Sequence, residues 1–194
     1  IFFGQRTVEE QVHPVGGCGA SCGAGPDARA RADLTLDAVY GHKDPMMIVC
    51  FIACVRSGRA YCPIDINTPA QRIAQISEKI GKPLVIMAEK TSAASEIEKR
   101  EMFTGSRWLI GYETIRELTQ SRNITAALNP CSGEDDFYII FTSGTTGKPK
   151  GVRITANDLN NCLDWAMSLA GGIEERAVFM NQAPYSFDLS VMDL

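Results

Sequence analysis

A chain of 194 residues, 45% hydrophobic and 22% charged, has room for one domain or a piece of a larger one, with the balance of a globular protein. Its formal net charge of −4 argues against the basic surface that nucleic-acid binding needs. The longest apolar run, at 46–55, is too short to span a bilayer and suits a buried helix. The start has no initiator Met and no basic region followed by an apolar core, so no signal peptide is read there. Seven cysteines, an odd number spread over apolar segments, predict reduced thiols and a cytoplasmic protein. With two histidines, His13 and His42, and no CxxC, no metal site is assigned, and most cysteines read as small buried hydrophobes.

Residues 1–33 are low in complexity and show no apolar period, which predicts a segment without fixed structure. Gly23, Gly25 and Ala28 match G-x-G-x-x-A, but Gly and Cys precede the match where a strand is needed, and Pro26 interrupts it; coincidence explains it best. Leu36–Tyr40 reads as a strand and Gly41-His42-Lys43 as a turn, with His42 a turn or capping residue without chemistry. Asp44 is placed to cap a helix with Pro45 at its first position, and Ser57-Gly58 to end it. Met47, Ile48, Phe51, Ile52 and Val55 mark its expected buried face. Tyr61 to Asp65 is extended, and Thr68-Pro69 repeats the cap-and-proline signal. The next helix carries Ile73, Ile76 and Ile80 on one face and stops at Gly81.

Leu84-Val85-Ile86-Met87 is apolar without alternation, as in a strand covered on both faces. Alternation of strands and helices predicts an α/β fold of layered parallel or mixed sheets flanked by helices. A helix at 91–103, a strand at 108–110, a short helix at 113–119 and a polar, turn-rich stretch at 121–135 follow. Beyond 150 the chain predicts a strand at 152–154, a helix capped by Thr155 and carrying Leu159, Leu163, Trp165 and Met167, a strand at 178–180, and the start of a helix at 187. No cap or turn follows Leu194, and the chain reads as a fragment.

The organising stretch is Phe141-Thr142-Ser143-Gly144-Thr145-Thr146-Gly147-Lys148-Pro149-Lys150-Gly151. It is not a Walker A loop: Pro149 stands where the second glycine should be, no hydroxyl follows Lys148, and a strand rather than a helix comes next. A plain hairpin needs about two to five loop residues. This loop is longer and holds the hydroxyls of Ser143, Thr145 and Thr146 with Lys148 and Lys150, so phosphate binding is the favoured reading.

That stretch resembles the signature of the adenylate-forming enzymes, which include acyl-CoA synthetases, adenylation domains of peptide synthetases, and luciferases. Ser57-Gly58-Arg59-Ala60-Tyr61-Cys62-Pro63-Ile64-Asp65 resembles a second motif, Gly-x-Ala-Tyr-x-Pro-x-Asp, of the amino-acid-activating members. Phe187-Asp188-Leu189-Ser190 resembles a third, whose aspartate holds the substrate amine. Gly41 to Met46 and Asn181 to Leu194 are similar to the D-alanine-activating members; the resemblance begins near Tyr40 and leaves out residues 1–33.

The resemblance implies that residues 34–194 are an incomplete large N-terminal AMP-binding domain. It implies ATP with Mg2+, D-alanine, and the phosphopantetheine thiol of a D-alanyl carrier protein, serving teichoic acid D-alanylation. Alternatives are a peptide-synthetase adenylation domain for another amino acid and a nucleotide-binding module without catalysis.

Thr142, Ser143, Gly144, Thr145, Thr146, Gly147 and Lys148 are the candidate ATP-binding residues. Asp188 is the candidate partner of the substrate ammonium, since an unpaired buried charge costs roughly 3–5 kcal/mol. The competing role for Asp188 is capping the last helix. The lysine that contacts the adenylate in the family is expected beyond Leu194, so no catalytic residue is assigned here, and this stretch alone is expected to be inactive.

Overall fold

The computed structural model describes residues 13–14, 36–81, 83–90, 101–103, 106, 108–120, 129–143, 147–169 and 180–193. Its centre is a seven-stranded sheet. In chain order the strands are β1 (His13–Pro14), β2 (Leu36–Tyr40), β3 (Ala60–Ile64), β4 (Leu84–Met87), β5 (Trp108–Ile110), β6 (Asp136–Ser143) and β7 (Pro149–Thr155). The helices are α1 (Pro45–Arg56), α2 (Ala70–Lys79), α3 (Tyr112–Gln120) and α4 (Ala156–Leu169), with a 3-10 turn at Asp188–Asp193. Across the sheet the order is β1-β5-β4-β2-β3-β6-β7. The strands from β5 to β6 run parallel, while β1 and β7 pair antiparallel at the two edges. The expected mixed α/β sheet is therefore observed. The β1 pairing falls within residues 1–33; the rest of that segment lies outside the described residues.

Period-two alternation builds a core on each face of the sheet. Val39, Tyr61, Ile86 and Ile110 face α1 and Ile115 of α3. Their neighbours Ala38, Tyr40, Cys62, Ile64, Val85, Met87 and Leu109 face Ile73 and Ile76 of α2 and Phe103. Both faces are covered, which is why the strands read as unbroken apolar runs.

Helix α1 begins as its sequence dictates. The Asp44 carboxylate accepts from the Met46 amide at 2.7 Å, and Pro45 takes the first turn, where its missing N–H is not needed. Ser57 caps the other end, and Gly58 leaves the helix with a φ of +75°. A Cβ on Gly58 would lie 2.5 Å from the Asn129 carbonyl oxygen, so this position needs glycine for conformation and space. The turn delivers Arg59 to Asp37 of β2, where the guanidinium makes a two-pronged ion pair with a carboxylate that is only 2% exposed.

Several expectations need correction. Ile52 is 52% exposed, because α1 buries its Cys50, Ala53 and Cys54 side as well as Phe51. Pro69, rather than Thr68, stands at the cap position of α2, and the cap has no side-chain hydrogen bond. The turn at Asp188–Asp193 is a 3-10 helix rather than an α-helix. Met180, expected to end a strand, lies in a loop, while 178 and 179 are outside the described residues. Of the helix expected at 91–103, residues 101–102 are helical and 91–100 lie outside the described residues. The capping of α4 is as expected: the Thr155 hydroxyl accepts from the Asp158 amide at 3.1 Å and donates to its carboxylate at 2.8 Å. No helix among the described residues is long and apolar enough to cross a membrane.

Candidate functional site

The chain leaves β2 to form β3 on one side, then crosses back to lay β4 on the other side of β2. Such a reversal opens a crevice beyond the carboxyl ends of parallel strands, where ligands of open α/β sheets bind. A cavity of about 480 Å³ lies there, lined by His42, Lys43, Asp65, Asn67, Arg72 and Gln182 among others.

His42 has more than a turn role. Its Nδ1 lies 2.6 Å from Asp65 Oδ2, and the other Asp65 oxygen accepts from the backbone and side-chain nitrogens of Asn67, each at 2.9 Å. Burial pushes the Asp65 carboxyl up, but the bonds from His42 and Asn67 together outweigh it and hold the carboxyl below its ordinary value. The Asp that ends the second motif thus organises the loop between β3 and α2.

The described ends of the glycine-rich stretch lie on β6, which closes at Ser143, and on β7, which opens at Pro149 and pairs antiparallel with it. Phe141 pairs with Gly151, and a Cβ on Gly151 would come within 3.2 Å of the Phe141 ring. Thr142 and Ser143 end β6 exposed, with the Thr142 hydroxyl donating to the Lys150 carbonyl at 3.4 Å. Gly147, Lys148 and Lys150 are exposed as well. Gly144, Thr145 and Thr146 lie outside the described residues.

Asp188 opens the 3-10 turn, exposed, and its Oδ1 accepts from the Leu189 amide at 2.9 Å. A local capping bond and an open carboxylate thus coexist. Tyr185 and Ser190 anchor the turn: the Tyr185 ring packs edge-on to Phe51 at 5.7 Å, and the buried Ser190 hydroxyl donates to the Phe187 carbonyl at 2.7 Å.

An aromatic chain links the loop before Asp188, the second motif and β6. Tyr185 meets Phe51, Phe51 stacks on Tyr61 at 4.2 Å, and Tyr61 lies 5.7 Å from Tyr138, its register partner on β6. Burial first, then Cys162 and the carboxylates of Asp188 and Asp158, push the Tyr138 phenol up to about 12. Among the described residues, no group of three His, Cys, Asp or Glu side chains could hold a metal ion.

Sequence reasoning missed Lys43 and Arg72. Arg72 donates from Nη2 to the Phe141 carbonyl at 3.1 Å, and Lys43 donates to the Asn181 carbonyl. The nearest signals were the basic residue beside Ile73 on α2 and, for Lys43, its place in the Gly41–Met46 stretch that resembles the D-alanine-activating members.

A parallel core with a hydroxyl- and lysine-bearing hairpin at its carboxyl edge is the frame of a nucleotide-handling α/β protein. The AMP-binding enzyme family model matches residues 37–194, and the chain belongs to that family. It is 39% identical over 158 residues to the D-alanine--D-alanyl carrier protein ligase of Bacillus anthracis, a match covering 80% of this chain and 29% of that protein. A protein of the same name from Bacillus thuringiensis (strain Al Hakam) matches at 38% identity over the same shares of the two chains. The chain thus spans about 29% of the length of these curated relatives. The N-terminal subdomain of Klebsiella oxytoca NpsA, solved in complex with 3-hydroxybenzoyl-AMSN, superposes with a TM-score of 0.63 at 20% identity. That match covers 84% of this chain and 39% of the other, and it bears on the fold.

Proposed function

We propose that the full-length protein is an ATP-dependent, AMP-forming ligase that activates D-alanine and loads it onto a carrier protein. The observation that carries this reading is the aromatic chain Tyr185–Phe51–Tyr61–Tyr138, which links the loop before Asp188, the second motif and the strand that runs into the glycine loop. Identity to the two D-alanine--D-alanyl carrier protein ligases supports the choice of substrate and partner.

In the first step a carboxylate oxygen of D-alanine attacks the α-phosphorus of ATP. A P–O bond forms, the bond to pyrophosphate breaks, and alanyl-adenylate results. Two anions meet, so the site must offset charge. Thr142, Ser143, Thr145 and Thr146 donate hydrogen bonds to phosphate oxygens, Gly144 and Gly147 admit the backbone, and Lys148 adds positive charge. Asp188 pairs with the α-ammonium. Mg2+ accompanies the phosphates, as it does where substrate oxygens supply most of its ligands. In the second step the phosphopantetheine thiol of a D-alanyl carrier protein attacks the acyl carbon and AMP leaves, in a cytoplasmic reaction that feeds teichoic acid D-alanylation.

ATP–pyrophosphate exchange in the full-length protein tests the reading, with D-alanine, L-alanine, glycine and a fatty acid supplied in turn. D-Alanine is expected to support exchange best. Preference for another amino acid would make the protein an adenylating enzyme of the peptide-synthetase kind. Exchange with the fatty acid alone would overturn the role of Asp188. Asp188→Ala is expected to abolish exchange while ATP binding persists.

A further inference from the structure

Two cations line the cavity, and each donates to a backbone carbonyl of a different candidate-site segment. Arg72, in the first turn of α2, donates to Phe141, the residue immediately before Thr142 and Ser143. Lys43, just after β2, donates to Asn181, which leads toward Asp188. The pairs are 69 and 138 residues apart in sequence. Lys43 holds a φ of 49°, in the left-handed region, the one non-glycine residue there among the described residues. Lys43 lies in the loop after β2 and Arg72 on α2, which follows the loop after β3; β2 and β3 are adjacent and parallel, and His42, bonded to Asp65, ties the two loops together.

Each gripped carbonyl adds a long-range charged bond to a segment held otherwise by its neighbours: Phe141, Thr142 and Ser143 pair with β7, and Tyr185 and Ser190 anchor the turn before and within 188–193. At the end of β6 the Thr142 hydroxyl has a long 3.4 Å bond. Near Asp188 the backbone turns through short-range bonds from Phe187 to Pro184 and from Ser190 to Phe187. A charged donor on a carbonyl is stronger than a neutral one, and it reaches each segment from a distant part of the chain, α2 for Arg72 and the turn after β2 for Lys43.

We infer that Arg72 and Lys43 are positioning residues: Arg72 sets the entry of the phosphate loop, Lys43 sets the amino-acid segment, and together they fix the separation of the two halves of the site. The inference rests on the function proposed above. Misplacement of reacting groups by about 1 Å can cost roughly a hundredfold in rate, so such a spacer has consequences for turnover.

The test uses the full-length protein and the variants Arg72→Ala, Arg72→Lys, Lys43→Met and Lys43→Arg. Steady-state exchange is measured against ATP and against D-alanine, with hydrogen exchange of the backbone amides alongside. Arg72→Ala is expected to raise KM for ATP about tenfold, as loss of one charged hydrogen bond does, and to leave KM for D-alanine nearly unchanged. Lys43→Met is expected to do the reverse. Each conservative variant should recover most of the loss. Amide exchange should quicken at 141–143 in Arg72→Ala and at 181–187 in Lys43→Met.

Equal changes in both KM values, faster exchange throughout the sheet, or no change at all would each overturn the assignment. If the unaltered protein activates no amino acid, the functional reading fails instead. The segment-specific split in hydrogen exchange then decides the positioning role by itself.

Discussion

Arg59→Met tests whether the second motif is held by an ion pair or by packing alone. Methionine keeps most of the apolar stem and removes the guanidinium. Asp37 is 2% exposed and receives Arg59 Nε at 2.6 Å together with a second bond from Nη2. Removing one partner of a buried pair costs about 3–5 kcal/mol, mainly because the other charge is left without compensation. Arg59 keeps 23% of its side chain exposed, so water offsets part of this and the lower end, about 3 kcal/mol, is expected at neutral pH.

The pH dependence gives the sharper check. Burial already raises the Asp37 carboxyl above its ordinary 3.8, against the lowering influence of Arg59. The folded chain therefore holds this proton more tightly than the unfolded chain, and the group loses stability as pH rises from 3.8 through its folded value. Without Arg59 that value rises further. The penalty of the substitution should be complete above it and shrink as pH falls toward 3.8. Urea unfolding of the full-length protein across pH measures both quantities, and Asp37→Asn with Arg59→Met should recover part of the loss. A neutral-pH cost under about 1 kcal/mol, or one that does not vary with pH, would refute the buried-charge reasoning.

Gly58→Ala should destabilise more than Gly81→Ala. Both positions have positive φ, 75° and 82°, which costs an L-residue about 1–2 kcal/mol, but only the Cβ at 58 meets a carbonyl, that of Asn129, at 2.5 Å. Equal shifts in unfolding midpoint would show that the Asn129 loop yields freely. Asp65→Asn should lower stability at neutral pH and converge with the unaltered protein in acid. The Asp65 carboxyl lies below its ordinary value, so its contribution is complete above 3.8 and is lost as pH falls through the folded value. A gap between the two unfolding curves that stays constant with pH would count against the bonds from His42 and Asn67.

Local signals carried far in this chain. The carboxylate–proline start of α1, the glycines at 58 and 81, and the isoleucines at 73, 76 and 80 each state a dihedral or a face within a few residues. Those forces act over short stretches, so they can be read without the fold. Ile52 shows the limit. The helical period identifies apolar positions, but what packs against them decides burial, and α1 turns Cys50, Ala53 and Cys54 inward while Ile52 faces out. His42 shows another: its partner Asp65 lies 23 residues away on the loop after the adjacent strand.

By itself, the sequence determined the strand and helix alternation, the hydroxyl- and lysine-bearing loop, and the motifs that mark the family. Only the tertiary structure decided the strand order β5-β4-β2-β3-β6, and with it the crevice between the β2 and β3 loops. That order depends on pairings between residues far apart in the chain, which no local period records. Once it is set, Arg72 meets Phe141, Lys43 meets Asn181, and Tyr61 lies beside Tyr138.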